Sequence, residues 1–181
     1  VLRRAAERLL SAPPEDYAAF CRENTFWLED YALFTALKAQ RKGAPWWDWE
    51  DALRLRRPAA LDAARAELSS ELAIHRATQY LFFRQWNALR AFAHAHGVSL
   101  IGDLPIYTAS DSADVWSAPE EFQLDENGHP TEVAGCPPDG FSPDGQLWGN
   151  YLFAWDRMAE DGYAWWRRRV LFQLRLYDIL R

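Results

Sequence analysis

The sequence predicts an α/β protein in which helix predominates, and three observations carry that reading. Residues 59–96 contain no Gly or Pro and are mostly good helix formers, so a long helix is expected there. It closes at Gly97 and is followed at once by Val98-Ser99-Leu100-Ile101-Gly102-Asp103-Leu104-Pro105-Ile106-Tyr107, an apolar run with little alternation. Such a run reads as a strand buried on both faces of a parallel sheet, and a strand of that kind entered from a long helix implies a layered α/β structure. Finally, 181 residues with 49% apolar and 25% charged side chains have the composition of a soluble globular domain able to bury a sizeable core.

The elements follow in order. The opening VLRRAAERLL is helical in pattern, Pro13-Pro14 interrupts it, and Glu15-Asp16 supply first-turn negative charge for the next helix. From Phe26 to Leu37, Phe26, Asp30, Leu33 and Leu37 share one stripe while Trp27, Tyr31 and Phe34 share its neighbour, so this helix is expected to be buried over much of its circumference. Gly43, Pro45 and Trp46-Trp47-Asp48-Trp49 read as a loop or short turn, and Arg54, Arg56 and Arg57 as a solvated basic spot. Within the long helix Phe82, Trp86, Leu89 and Ala93 step by four, three and four, the pattern of a buried stripe. Asp111 can cap a short helical turn through Trp116, and Asn127-Gly128 between 122–124 and 131–133 is a hairpin signal. The Gly- and Pro-rich segment 135–150 reads as a long functional loop because it carries Phe141 and Trp148. Helix resumes after Asp156, with Tyr163, Trp166, Val170 and Leu174 on one face and no residue to stop it before Arg181.

Charge and motifs exclude several functions. The 26 acidic side chains outnumber the 20 basic ones, for a net charge of −6, the wrong balance for a protein that lives on nucleic-acid phosphates. The basic run beside Trp165-Trp166 is accordingly read as the solvated face of an amphipathic helix. Cys21 and Cys136 match no zinc spacing, so neither a metal nor a disulfide framework is expected and a reducing, cytoplasmic setting is the default. No apolar run approaches the roughly 18 to 20 residues of a membrane helix. Phosphate loops, nucleophile elbows and zinc-protease motifs do not occur, and His94 and His96 lie two apart, the wrong spacing for a helical metal pair.

What stands out is aromatic content: 10 Trp, 10 Phe and 7 Tyr, or 15% of the chain. Either the core is heavily aromatic or a surface stacks flat ligands. Asp103, near the carboxyl end of the expected strand, is the first candidate, because ligands collect at that end of α/β sheets; a cap or salt-bridge partner at the strand end is the plainer reading. Beside it the loop offers Asp139, Phe141, Gln146, Trp148 and Asn150. Carboxylates and amides can hold sugar hydroxyls while rings pack sugar C–H faces, so these residues point to carbohydrate binding.

Several ordered motifs then become recognisable. Ile101-Gly102-Asp103-Leu104-Pro105-Ile106-Tyr107, Asp111-Ser112-Ala113-Asp114-Val115-Trp116, Gly135-Cys136-Pro137-Pro138-Asp139 and Gly145-Gln146-Leu147-Trp148-Gly149-Asn150 resemble the 4-alpha-glucanotransferases, also called amylomaltases or disproportionating enzymes. Trp27-Leu28-Glu29-Asp30-Tyr31-Ala32-Leu33-Phe34 and Leu81-Phe82-Phe83-Arg84-Gln85-Trp86 are similar to the same family. The resemblance implies a partial (β/α)8 TIM barrel of the alpha-amylase-like type with large helical insertions. Residues 1–97 would be the helical insertion and barrel-flanking helices; residues 98–181 would be a barrel segment with strand 98–107, a substrate-binding loop over 108–155 and a helix over 156–180.

The same resemblance implies cofactor-free, retaining transfer of α-1,4-glucan segments between maltooligosaccharides, with glucose as an acceptor. Neither nucleic acid nor membrane enters that chemistry. Asp103 is similar to the aspartate that hydrogen-bonds the donor sugar, Gln146 and Trp148 match positions that contact glucan, and Pro137, Pro138, Asp139 and Phe141 belong to what looks like an acceptor-side lid. Arg181 looks like the arginine that precedes the nucleophilic aspartate on the fourth barrel strand. The nucleophile, the acid/base glutamate and a third carboxylate are therefore expected beyond Arg181, and the 181 residues, read as an excerpt of a longer enzyme, are expected to be inactive alone. The alternative is a non-catalytic α-glucan-binding module. Gly140, Glu50 and Tyr151 depart from residues common in the family, Gly140 in a way that would loosen the lid or acceptor stacking.

Overall fold

The computed structural model describes all 181 residues, Val1–Arg181. Every regular element before Gly97 is helical. Helices α1 (Leu2–Ser11) and α2 (Tyr17–Glu23) lie on α6 (Ser69–Ala95), where Ala6, Leu9, Ala77 and Tyr80 form a small core. Asp16, at the start of α2, caps nothing with its side chain and instead accepts the Tyr80 hydroxyl at 2.6 Å. Helix α3 (Thr25–Gln40) runs through the main core with Leu28, Ala32, Leu33, Phe34, Ala36 and Leu37 buried; of the two expected stripes Leu33, Phe34 and Leu37 are in it, whereas Trp27, Asp30 and Tyr31 are half-buried and Phe26 is exposed.

A 3-10 turn at Trp46–Asp48 and the short α4 (Asp51–Arg54) lead to α5 (Pro58–Glu67), which starts on proline, a residue suited to the first helical position. The continuous helix expected over 59–96 is broken at Leu68, where the backbone steps to φ −96°, ψ 16°. The bend has a packing reason: it brings Leu61 and Ala64 of α5 and Leu72 of α6 onto the same core. Gly97 ends α6 at φ +72°, with Val98 N–H returning to the Ala93 carbonyl at 3.0 Å, a Schellman closure. The Phe82–Ala93 stripe is not buried as the spacing implied. Phe82 and Leu89 are exposed because the helices that pack on α6 cover other faces of it, α3 the side of Leu72 and α1 with α2 the side of Ala77 and Tyr80.

The aromatic excess is largely structural. Phe34, Trp49 and Trp116 meet at 5.5 to 5.8 Å, and Phe153 touches Phe122 and Trp165 at 5.1 and 5.6 Å. Three buried indoles find backbone acceptors, Trp46 at Ser110 O, Trp49 at Ala44 O and Trp116 at Leu53 O, at 2.9 to 3.0 Å, whereas the buried Nε1 of Trp166 has none. The supposed solvated basic spot belongs to this region too. Arg56 pairs with Asp30 at 2.8 Å and lies 4.3 Å from the Trp116 ring centroid, while Arg54 bonds Asp51 and the Glu126 carbonyl.

Beyond Gly97 the strand content is small. Strand β1 is only Ile101–Gly102, paired in parallel with β4 (Ile179–Leu180) in the register Ile101↔Ile179 and Gly102↔Leu180. The expected ten-residue strand buried on both faces is thus corrected: one two-residue neighbour lies alongside it, and Ile101 is 67% exposed. The loop expected over 108–155 contains α7 (Ala113–Ser117) and an antiparallel hairpin of β2 (Val133–Cys136) with β3 (Gln146–Tyr151). Ser112, not Asp111, caps α7, its hydroxyl accepting Val115 N–H; the Asp111 carboxylate is taken by Lys38 and the Trp46 amide. The turn read from Asn127-Gly128 is present, closed by a Leu124–Pro130 bridge.

The helix expected over 156–180 is two helices and a strand. Helix α8 (Trp155–Glu160) and α9 (Ala164–Leu176) are separated by Gly162 and by Tyr163 in left-handed backbone, so Tyr163 is outside the helix it was expected to join. After Leu176 the chain extends: Asp178 N–H bonds the Leu100 carbonyl at 2.9 Å, and Ile179 and Leu180 pair with β1. Nor is the basic run of α9 all solvated: Arg169 lies 5.2 and 5.0 Å from the Trp165 and Trp166 rings. No helix is long and apolar enough to cross a membrane.

Candidate functional site

The two parallel strands end side by side, and their next residues are Asp103 and Arg181. Leu104 N–H bonds the Arg181 carbonyl and Arg181 N–H bonds the Gly102 carbonyl, both at 2.9 Å, so the backbones set the spacing of the two side chains. The guanidinium then grips the carboxylate at two points, Nη2 to Oδ2 at 2.7 Å and Nε to Oδ1 at 3.3 Å. Both side chains face solvent, 67% and 82% exposed. The Arg181 guanidinium holds the Asp103 carboxyl below its usual range by hydrogen bonding and then by charge. The pair is an ionised, wet, rigidly spaced donor–acceptor surface, suited to sorting hydroxyls.

Two neighbours set this geometry, and sequence reading had passed over both. Tyr177 lays its ring on Gly102 so closely that a Cβ there would stand 2.2 Å from ring carbon Cδ2. Asp178 accepts Leu100 N–H at 2.8 Å, Arg90 at 2.7 Å and His94 at 2.8 Å, tying α6, β1 and β4 together. The Leu100 amide, then Arg90, then His94, hold its carboxyl far below the ordinary carboxylate range. The only sequence signal was a carboxylate set between the apolar residues Tyr177 and Ile179.

A second group lies on β3. Gln146 and Trp148, two apart and so on one face of the strand, are joined by an indole N–H to Oε1 bond of 2.9 Å. Trp148 is 50% exposed, and its other neighbour is Tyr107, at 6.4 Å between centroids, which in turn stacks on buried Phe153. Asn150 Nδ2 donates to the Thr108 carbonyl at 3.3 Å, fastening the hairpin to the segment that follows Asp103. Tyr107 is thus a further member of this face, legible only as an aromatic just downstream of Asp103.

The hairpin tip is a third group. Asp139 spends its carboxylate on the local turn, Oδ1 accepting the Phe141 and Ser142 amides at 2.8 Å, while the Ser142 hydroxyl bonds the Gly145 carbonyl at 2.6 Å. Gly145 has φ +73°, and a Cβ there would stand 2.6 Å from the Cys136 carbonyl oxygen, so the closure requires glycine. Phe141 is 97% exposed, and Pro137 and Pro138 are exposed beside it. The structure therefore joins Asp103 with Arg181, and Gln146 with Trp148. No hydrogen bond or ring contact joins the tip to either group. No cluster of His, Cys, Asp or Glu is placed to hold a metal ion.

With this geometry in hand, comparison with known proteins identifies the chain's relatives. The family model for 4-alpha-glucanotransferase matches residues 1–181, and the chain belongs to that family. It is 51% identical over 173 residues to a 4-alpha-glucanotransferase of Thermus thermophilus, a match covering 94% of this chain and 35% of that protein. A 4-alpha-glucanotransferase of Streptococcus pneumoniae is 42% identical over 183 residues, covering 100% of this chain and 36% of the relative. Among solved structures, an amylomaltase from Streptococcus agalactiae in complex with acarbose superposes with a TM-score of 0.94 at 38% identity, covering 99% of this chain and 37% of that one. The chain thus spans about a third of the length of the curated relatives it matches.

Proposed function

We propose that these residues form the donor-side sugar-binding face of a 4-alpha-glucanotransferase that moves α-1,4-glucan segments between maltooligosaccharides, or onto glucose, by retaining double displacement. The observation that carries the reading is the Asp103–Arg181 pair at the adjacent carboxyl ends of two parallel strands, in a chain that matches the family along its whole length. β1 and β4 are then two strands of a (β/α)8 barrel, and the helices before Gly97 an insertion and flanking layer around it. Ligands bind at that end of such barrels, where chemistry sits on strand termini.

In this reading Asp103 accepts hydrogen bonds from donor-sugar hydroxyls and Arg181 keeps it ionised and aimed. Trp148, backed by Tyr107 and oriented by Gln146, packs a sugar C–H face. The tip carrying Pro137, Pro138, Asp139 and Phe141 closes over the acceptor and excludes water, which favours transfer over hydrolysis. The nucleophile and acid/base carboxylates are supplied from outside residues 1–181. A cytoplasmic setting, in keeping with unpaired Cys21 and Cys136, belongs to the same proposal. The solved amylomaltase bound to acarbose supports a maltooligosaccharide-like ligand.

The test is maltotriose incubated with the full-length protein, products resolved by chain length. Glucose together with maltooligosaccharides longer than three is the expected outcome. Net hydrolysis without redistribution overturns it, and binding without turnover would favour the binding-module alternative.

A further inference from the structure

The Asp103–Arg181 pair depends on a very short ladder. Strands β1 and β4 pair only through Ile101 with Ile179 and Gly102 with Leu180. Side chains alternate along a strand, so a slip of one residue would turn Arg181 to the opposite face of the sheet from Asp103. So short a ladder pins its register weakly, and contacts outside it must fix which pairing forms.

Helix α6 supplies those contacts. Trp86, Arg90 and His94 follow one another at four-residue steps and so share one face of the helix. All three donate to the junction between α9 and β4. The Trp86 indole bonds the Leu176 carbonyl at 3.1 Å and Arg90 Nη1 bonds the Arg175 carbonyl at 3.0 Å, two carbonyls that the end of α9 leaves without helical partners. Arg90 Nη2 and His94 Nε2 then take one oxygen each of the Asp178 carboxylate, at 2.7 and 2.8 Å.

Asp178 Oδ2 also accepts Leu100 N–H at 2.8 Å, so the carboxylate carries the pairing of β4 with β1 one residue past the ladder. Trp86 adds a ring contact with Tyr177 at 5.4 Å between centroids, and Tyr177 lies on Gly102. The Arg90 guanidinium is turned so fully to its two acceptors that its buried Nε has no partner, a local cost that marks one preferred arrangement. None of these contacts reaches Asp103 or Arg181 directly. Their effect passes along the backbone, which delivers Arg181 to the Gly102 carbonyl and the Leu104 amide.

We infer that Asp178, held by Arg90 and His94 of α6, is a positioning residue of the donor face: it fixes β4 on β1 in the one register that aims the Arg181 guanidinium at the Asp103 carboxylate. The inference rests on the proposed function for the activity that reads it out.

The test uses the full-length protein, with maltotriose redistribution and a crystal structure of the Asp178→Ala variant. Asp178→Ala is expected to lower kcat/KM about tenfold or more, but only about threefold or less in an Arg181→Ala background, where no guanidinium is left to aim. An aspartate that serves stability alone would cost the same factor in both backgrounds; that result, or no loss at all, overturns the inference. In the crystal structure Arg181 is expected beyond hydrogen-bond reach of Asp103, and an intact pair overturns the inference whatever the activity. Should Asp178→Ala fail to fold, His94→Ala removes a single donor. A loss of about threefold or more, restored to within about twofold by His94→Gln, then supports the positioning role, and no loss, or a loss that His94→Gln leaves in place, overturns it. A folded full-length protein that never redistributes maltotriose overturns the proposed function instead, and the Arg181–Asp103 separation in the variant crystal then decides the positioning role by itself.

Discussion

Arg181 and Asp103, 78 positions apart in the chain, meet fork to fork because the strands that precede them are parallel neighbours in a fixed register. Within residues 1–181 the pair is exposed, so it adds little to the stability of this segment. Asp103→Asn in the full-length protein is expected to lower kcat/KM for maltotriose by tenfold or more with a much smaller proportional loss of stability. Equal losses of stability and activity would show that the aspartate acts as a strand-end strut and not as a sugar ligand.

Gly102 and Tyr177 give a sharper structural prediction. A methyl group at 102 would stand 2.2 Å from the Tyr177 ring, where the ring, not a flexible chain end, must give way. Gly102→Ala is expected to cost about 1–3 kcal/mol, the range for overpacking. Urea unfolding measures it, and adding Tyr177→Leu should recover part of the loss; no recovery would mean that the strain lies elsewhere in β1.

Asp178 supplies the pH dependence. Its carboxyl is depressed in the folded protein by Leu100 N–H, Arg90 and His94, so it binds a proton more readily when unfolded. The stabilisation is thus complete above the ordinary carboxylate range and is lost as pH falls through that range toward the depressed folded value. Asp178→Asn is expected to lower the unfolding midpoint at neutral pH and to flatten its decline below about pH 4, close to the unperturbed aspartate value. An unchanged acid limb would assign the decline to other carboxylates.

Aromatic residues of the same type are expected to separate by role. Trp116 is fully buried with its indole bonded to Leu53 O, whereas Trp148 is half exposed on β3. Trp116→Ala should cost about 3–5 kcal/mol. Trp148→Ala should cost about 1 kcal/mol or less and weaken maltooligosaccharide binding to the donor face about tenfold, a figure in the range of one lost ring contact. Denaturant melts and sugar titration on both variants check the contrast.

That contrast shows how far the sequence could be read. The burial of Leu33, Phe34 and Leu37 in α3 was legible because the apolar period is local, though not the exposure of Phe26, and Gly97 was legible because this helix stop needs positive φ. The extents of β1, α6 and α9 were not. A strand exists only where a partner lies, and its partner here is 78 residues away; the kink at Leu68 answers a core assembled from distant elements. Asp103, Gln146, Trp148 and Arg181 were nameable through family resemblance, while Tyr107 and Asp178 matter through contacts that no local pattern announces.

The hairpin tip carries the last prediction. Asp139 holds the Phe141 and Ser142 amides and makes no contact with Asp103 or Trp148, so it acts on the tip's shape alone. Removing that cap leaves two amides to water and loosens the turn, at about 0.5–2 kcal/mol by analogy with other side-chain caps. If the tip excludes water from the transfer step, Asp139→Ala in the full-length protein should raise the share of maltotriose lost to hydrolysis several-fold while leaving donor-side affinity within a factor of two. A ratio of transfer to hydrolysis that stays constant, with the tip shown to be disordered by faster amide exchange at Phe141 and Ser142, would remove water exclusion from the role of this loop.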